Sequence, residues 1–445
     1  MARSQRIELT VSLQEAFPRG FIESLARKTG LVIRQREFDP VVFFWALMNT
    51  IIGGLGDAAA CVKREYERLS GKTMDNRSFY DRMGDEKMVA FLQACFEHAT
   101  DNVFPEGSRA EVFRRFRQVL LQDSSIIRLR DKLSGRWPGV STPAAAKINV
   151  IVNAGGGKPG RVQTAKGTKA EVKFRMINRN LAGTLTITDL GYFDYPDFAR
   201  IEKNDGHFLS RLKDNADPVI VASNLVHRGQ ALDLAGKRLR AVLPLLTRGE
   251  LDVTVEVEVD LRGQPGRPVA GGYRPQKVRW RVVGLRNEET GEYHLYITNI
   301  PREWLSAEEI ALAYSQRWEV ELLFKELKGC FDLGAWKVTR EAMMLVQTYA
   351  VLVAWALSRR LRADLLGPKQ MASQRAATLA APVLRFARVL RHYIGDIIGR
   401  MLAGRRCPSD LVETLRAAAR DPNRRRVALT ARETLPFRKP ALASA

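Results

Sequence analysis

The fifteen residues from Tyr314 to Lys328, YSQRWEVELLFKELK, constrain this chain more than any other stretch. They hold no Gly or Pro, are rich in good helix formers, and set apolar Trp318, Leu322, Phe324 and Leu327 among charged neighbours, which predicts a helix. Tyr314, Glu321 and Lys328 recur at seven-residue intervals, two turns apart, so all three project from one face. Arg317 lies one turn before Glu321 on the same side. A carboxylate flanked by Tyr, Arg and Lys makes a poor apolar contact. It suits a metal-binding acid beside a phosphate, and it equally suits a solvated face with ion pairs four residues apart.

The 445 residues leave room for roughly three domains of about 150 residues each. An apolar content of 45% supports packed cores over disorder. A formal charge of +22, with a pI near 10.1, calls for a polyanionic partner, nucleic acid first. Residues 359–445 hold 19 Arg and Lys against 6 Asp and Glu, so +13 of the charge sits there. Cys61, Cys95, Cys330 and Cys407 are too scattered for a zinc or redox pair and read as free thiols in a reducing cytoplasm. The start, MARSQRIELT, has no apolar run of a signal peptide. VVFFWALMNTIIGG and MMLVQTYAVLVAWAL fall short of about 18 clean apolar residues and are interrupted by Asn49 and Gln347. Both are expected to be buried helices, with no membrane span.

In chain order, residues 1 to about 110 read as mostly helical. Phe21–Lys28 and Pro40–Ile52 form packed helices, and Asp57–Leu69 followed by Asp75–Met83 has a helix-turn-helix layout. Arg77, Tyr80 and Arg82 on its second piece suit a DNA-recognition helix, and the same layout suits any helical hairpin. Strands follow: 119–125 ending near Asp123, 147–154 and 160–167 joined by GGGKPG, and 184–193 reaching Asp189. GGGKPG lacks the spacing and the Ser or Thr of a phosphate loop and reads as a hairpin tip. A helix over 195–205, with Asp194 as cap, precedes a strand over 206–213. Residues 251–260, 277–286 and 292–298 alternate as an antiparallel sheet, with RGQPGRPVAGG and NEETGE as turns. Helices over 340–362 and 374–403 lead to a basic tail with Arg424, Arg425 and Arg426.

Asp123 and Asp189 thus end two strands and Glu321 stands on a charged helical face. Carboxylates bind hard cations through oxygen, and DNA phosphoryl transfer commonly uses two such ions about 3.5–4 Å apart. Among neighbouring acids, Glu319 and Glu326 are expected on the solvated side of the helix, Asp194 and Asp197 at a helix start, and Asp131 in a turn.

YSQRWEVELLFKELK matches the Tyr-x2-Arg-x3-Glu-x6-Lys signature and resembles the DDE transposases of bacterial insertion sequences, in the group called IS-four. YITNIPREWLSAEEIALAY resembles that family's approach to the helix, and LLQDSS and ITDLGYFDYPDFARI resemble its two aspartate motifs. The resemblance covers residues 117–340. It implies an α/β fold: a ribonuclease-H-like catalytic domain over 116–340, interrupted by an antiparallel β insertion over 214–298. The strand order above is the order such a core has. A helical DNA-binding region over 1–115 and a basic helical C-terminal region over 341–445 would flank it.

The implied activity is metal-dependent cut-and-paste transposition. Asp123, Asp189 and Glu321 would be catalytic ligands of two Mg²⁺ or Mn²⁺ ions. Tyr314, Arg317 and Lys328 would hold phosphates near the element end, and Arg211 and Lys213 would make a further DNA contact. Some relatives stack a flipped base on a Trp four residues before the position of Thr298. His294 stands there, with Trp280, Tyr293 and Tyr296 as substitutes or as sheet packing. The implied partners are the double-stranded terminal repeats and target DNA, held by a homodimer with the apolar C-terminal helices as candidate interface. Two other readings use the same residues: a structure-selective nuclease on this core, and a catalytically silent DNA-binding remnant. A zinc enzyme is disfavoured, because His98, His207, His227, His294 and His392 have no ligand spacing.

Overall fold

A computed structural model describes residues 8–33, 38–56, 59–103, 111–154, 158–174, 181–223, 226–227, 230–261, 275–367, 371 and 381–420. The opening MARSQRI, the GGG of the hairpin tip, the whole RGQPGRPVAGG turn, the first residues of the helix expected from 374, and the Arg424–Arg426 tail lie outside the described residues.

Six helices come first: α1 (Leu9–Ala16), α2 (Arg19–Lys28), α3 (Pro40–Ile52), α4 (Ala59–Ser70), α5 (Asn76–Met83) and α6 (Glu86–His98). The Asp39–Pro40 pair starts α3, since Pro40 needs no helical N–H partner and the Asp39 carboxylate accepts from the amides of Val41 and Val42. On α5, Arg77 is exposed, but Arg82 turns inward over the Phe38 ring at 4.2 Å and donates to the Leu31 carbonyl. Arg82 is therefore packed, not presented.

The chain then builds β1 (Gln118–Arg128), β2 (Ala145–Asn153), β3 (Lys158–Lys166), β4 (Thr184–Thr188), α7 (Tyr195–Lys203), β5 (His207–Arg211), β6 (Val219–Ser223), β7 (Val226–His227), β8 (Gln230–Ala231), α8 (Leu239–Val242), β9 (Glu250–Val259), β10 (Gln276–Arg286) and β11 (Tyr293–Thr298). Nine strands form one sheet in the order β3-β2-β1-β4-β5-β11-β10-β9-β6. β1 to β4 and β4 to β5 are parallel, while β11, β10, β9 and β6 extend the sheet in antiparallel pairs. The strand expected over 184–193 stops at Thr188, and a 3₁₀ turn takes Leu190–Tyr192. Asp194 does stand at the start of α7, but its side chain makes no capping hydrogen bond. Lys213 lies beyond the end of β5, outside the strand assigned to it from sequence.

Alternation along the strands divides the core in two, because successive side chains point to opposite sheet faces. Leu185, Ile187, Leu209 and Val283 face the helices, whereas Phe208, Trp280 and Val282 face a smaller cluster with Phe193 and Phe198 from the α7 region. β4 is buried along its whole length, as a central parallel strand covered on both faces should be.

The last part holds α9 (Ala307–Ser315), α10 (Trp318–Gly329), α11 (Glu341–Leu366), α12 (Val383–Leu390), α13 (Ile394–Leu402) and α14 (Ser409–Ala419). Ser306 and Glu309 close a reciprocal capping box at the start of α9. Just before it, Arg281 of β10 grips both oxygens of Asp252 on β9 at 3.0 and 2.8 Å and donates to the Leu305 carbonyl at 2.8 Å. The helix expected to run unbroken over 314–328 is two helices. The amides of Gln316, Arg317, Glu319 and Val320 bond three residues back, so the joint is wound tighter than an α-helix.

α11 is long and apolar enough to cross a membrane by length and composition, yet most of it is buried against α1, α3, α6, α10 and α12. The apolar face considered for dimer contact is thus used within the chain. Its grip on α10 is ionic. Glu326, expected in solvent, is 1% exposed and accepts from Arg359 at 2.6 Å and from Trp355 Nε1 at 3.0 Å. Trp318, counted as an apolar helix position, is instead 51% exposed beneath the Lys325 ammonium.

Removing one member of a buried ion pair strands the other, at a cost of about 3–5 kcal/mol. Glu326→Ala is therefore expected to lower unfolding stability by that amount, with Glu326→Gln losing less because it keeps an acceptor. Urea titration checks it; an Ala variant within about 0.5 kcal/mol of wild type would remove the ion pair from the account.

Candidate active site

The parallel pairing of β1 with β4 sets Gln122 opposite Thr188, so Asp123 and Asp189 come level one residue further on. β4 pairs with β5 so that Thr188 meets Ser210, which brings Arg211 to the same level. Neighbouring strands lie about 4.8 Å apart, so the two carboxylates and the guanidinium form one row across the sheet. Asp123, expected at a strand end, lies midway along β1, while Asp189 and Arg211 stand at the ends of β4 and β5.

α9 and α10 close over this row. Tyr314 Oη donates to Asp189 Oδ1 at 3.3 Å. Arg317 sits between two acids, with Nε 3.8 Å from Asp189 Oδ1 and a terminal nitrogen donating to Glu321 Oε1 at 2.6 Å. The tight joint at 316–317 is where the chain turns this guanidinium toward Asp189. Lys328 Nζ donates to the Ile126 carbonyl at 3.0 Å, fastening the end of α10 to β1.

Burial is the main cause that raises the Asp123 carboxyl from 3.8 to about 6. The Ser124 amide and Arg317 oppose the rise, while Asp189 and Glu171 add to it. Burial also raises the Tyr314 phenol, helped by Asp189. Desolvation works against the charge of Arg317, but Asp189, Tyr314 and Glu321 together outweigh it and raise its pKa.

Asp123, Asp189, Tyr314, Arg317 and Glu321 therefore converge, and Arg211 joins them through its charge on Tyr314. His294 is half-buried on β11, its pKa lowered by burial and by Arg211. Lys213 stands apart, donating to the Phe193 carbonyl at 3.3 Å. The aromatic substitutes are engaged: Trp280 is buried and donates to Glu202, Tyr293 donates to the Arg248 carbonyl, and Tyr296 packs on Tyr314. Sequence reasoning missed Glu171, which lies in a short 3₁₀ turn with its Oε1 2.7 Å from Ser124 Oγ. No periodic pattern marks such a turn.

Two acids level on adjacent strands, with a third held across from them, are hard oxygen donors that fit a divalent cation. Among the described residues no three His, Cys, Asp or Glu side chains gather tightly enough to hold one, and Glu321 accepts from Arg317. The chemistry of the donor set fits a metal, and Arg317 lies beside two of the three acids.

A cleft of about 690 Å³ is lined by Arg136, Trp137, Lys166, Thr168, Lys169 and Lys173, with Glu341 paired to Arg136. A larger one, about 1150 Å³, lies among residues of the first helices, Arg82 and Phe38 included, and contains none of Asp123, Asp189, Tyr314, Arg317 and Glu321.

A family model described as a transposase DDE domain matches residues 114–357. The chain is 22% identical over 372 residues to the transposase for insertion sequence element IS231B of Bacillus thuringiensis subsp. berliner, covering 75% of each. It is 20% identical over 386 residues to the transposase for insertion sequence element IS1151 of Clostridium perfringens, covering 79% of each. A shorter match of 34% over 74 residues is to the putative transposase InsL for insertion sequence element IS186A of Escherichia coli, covering 17% of this chain and 20% of that one.

Because the Asp123 pKa is raised on folding, its contribution to stability is full below about pH 4 and is lost as pH rises through about 6. Asp123→Asn, which stays neutral, is expected to raise the melting temperature of the metal-free protein by a few degrees at pH 7.5. At pH 4 the difference should vanish. Calorimetry across that range checks it; no gain at pH 7.5 would mean the carboxylate is not strained by its surroundings.

Proposed function

Since the chain belongs to the DDE-domain transposases of insertion sequences, enzymes that act on DNA with divalent metal, we propose that Asp123, Asp189 and Glu321 are its catalytic acids. The mixed α/β architecture, one large sheet with many helices, fits the ribonuclease-H-like fold of that family. The group called IS-four fits the signature residues. The observation that carries the assignment is the position of Arg317, within reach of both Asp189 and Glu321.

In this reading Asp123, Asp189 and Glu321 would together hold two Mg²⁺ or Mn²⁺ ions, and Arg317 would serve a DNA phosphate beside them. Bound there, such ions activate the attacking oxygen and steady the leaving one. Tyr314 then places its hydroxyl beside the scissile phosphate instead of acting as nucleophile, its raised pKa keeping the proton on oxygen. Arg211 and His294 continue the DNA contact along the sheet, and Lys328 holds α10 on β1 while bordering the phosphate path. Lys213 contributes charge at the edge. The cleft with Lys166, Lys169 and Lys173 offers sequence-independent phosphate contacts.

The antiparallel strands β6, β9, β10 and β11 correspond in this reading to the insertion over 214–298. Residues 1–115 would bind DNA, and 341–445 would support the assembly. Two protomers pairing the two element ends would form through surfaces other than buried α11. The excised end then joins target DNA through its 3′-hydroxyl, cut-and-paste.

Labelled DNA carrying the sequences that flank this gene should be cut at the element boundary by wild-type protein in Mg²⁺ or Mn²⁺. Glu321→Ala and Asp189→Ala should lose cutting by on the order of 10³-fold or more while still binding DNA in chelator. Arg317→Ala should also weaken binding about tenfold and lower the salt slope by about one. Metal-dependent cutting retained by Glu321→Ala would reject the assignment, and cutting without any joined product would favour a nuclease.

A further inference from the structure

We infer that Glu171 is a positioning residue that clamps the Asp123 and Asp189 segments together. Its carboxylate touches both. On one side Glu171 Oε1 accepts from Ser124 Oγ at 2.7 Å, and the Ser124 amide donates to Asp123 Oδ1, also at 2.7 Å. On the other side lies Gly191, two residues after Asp189. A Cβ built on Gly191 would sit 1.9 Å from Glu171 Oε2, so the carboxylate occupies the space that any side chain at 191 would need.

The clamp is itself held. Gln122 on β1 donates to the Phe174 carbonyl at 2.8 Å, tying the turn that carries Glu171 to the strand that carries Asp123. The same amide group donates to Asn149 Oδ1 at 3.0 Å, and that oxygen also accepts from Tyr192 Oη at 2.8 Å, in the segment after Asp189. Lys147, 8% exposed, places its ammonium 3.7 Å from Glu171 Oε1 and balances a charge otherwise set among acids. Backbone register brings the two aspartates level; Glu171 and this network hold the peptides beside them.

A hydrogen-bonding neighbour of a metal ligand typically changes metal affinity by 10–100-fold when removed. That consequence rests on the catalytic reading above, whereas the Glu171–Gly191 contact does not. Gly191→Ala should push the Glu171 carboxylate aside and so mimic Glu171→Ala. Removing the carboxylate frees the space, so the double variant Glu171→Ala/Gly191→Ala should be no worse than either single one.

The experiment titrates MnCl₂ into full-length protein and follows the melting temperature, with melting in chelator and DNA binding in chelator as controls. Each single variant is expected to raise the half-maximal Mn²⁺ concentration about tenfold, and the double variant to match them. DNA binding in chelator should be unchanged. Glu171→Gln, which still accepts from Ser124, should recover most of the response. Additive losses in the double variant, an unmoved Mn²⁺ midpoint, or a Gln variant as impaired as Ala would each overturn the positioning role. A wild-type protein with no Mn²⁺ response would instead sink the catalytic reading, and this proposal with it.

Discussion

The parallel pairing of β1, β4 and β5 is the constraint on which the site depends. A slip of one residue in that pairing would send an aspartate to the opposite sheet face, because the side-chain period of a strand is two. The core enforces the register. Leu185 and Ile187 of β4 and Leu209 of β5 all point to the helical face, and a slip would exchange them for the buried threonines Thr184, Thr186 and Thr188. Two aspartates are thereby held side by side against their mutual repulsion. The Asp123 carboxyl is raised mainly by its burial in that position, with a smaller push from Asp189.

The second constraint is the seating of α9 and α10. Arg281 and Asp252 fix the entry to α9 from the antiparallel side of the sheet, and the Ser306 capping box sets its first turn. At the far end Lys328 ties α10 to β1, and Glu326 ties it to α11 through Arg359 and Trp355. Between these anchors the winding tightens over 316–320, the stretch that carries Arg317. Rigid ends and a locally altered winding let one guanidinium reach acids on two different elements.

Much of this was legible because it rests on local pattern. Asp123 and Asp189 stand at the end of short apolar runs that read as strands, and Tyr314, Arg317 and Glu321 share a spacing that survives the break between helices. The rest depends on partners distant in sequence. Glu326 looks solvated because a charged residue on an amphipathic helix usually is; only Arg359, on another helix, makes its burial tolerable. Arg82 seemed presented to DNA until Phe38 and Leu31 supplied a place inside. Glu171 offers no signal at all, since its meaning comes from Ser124, 47 positions away, and from a glycine whose missing side chain leaves it room.

The charge of the whole chain and the charge of the site pull in opposite directions, and that opposition organises the chemistry. A net charge of +22, more than half of it in residues 359–445, favours DNA, whereas in the proposed reading the acids of the site repel the phosphate that approaches them. Arg317 places its charge between Asp189 and Glu321. The same residue cannot hold both acids and also serve a phosphate with full effect. Cations entering among the carboxylates would release it toward DNA, so metal and DNA binding are expected to favour one another through a single side chain. Such coupling is reciprocal by necessity: whatever metal adds to DNA affinity, DNA adds to metal affinity.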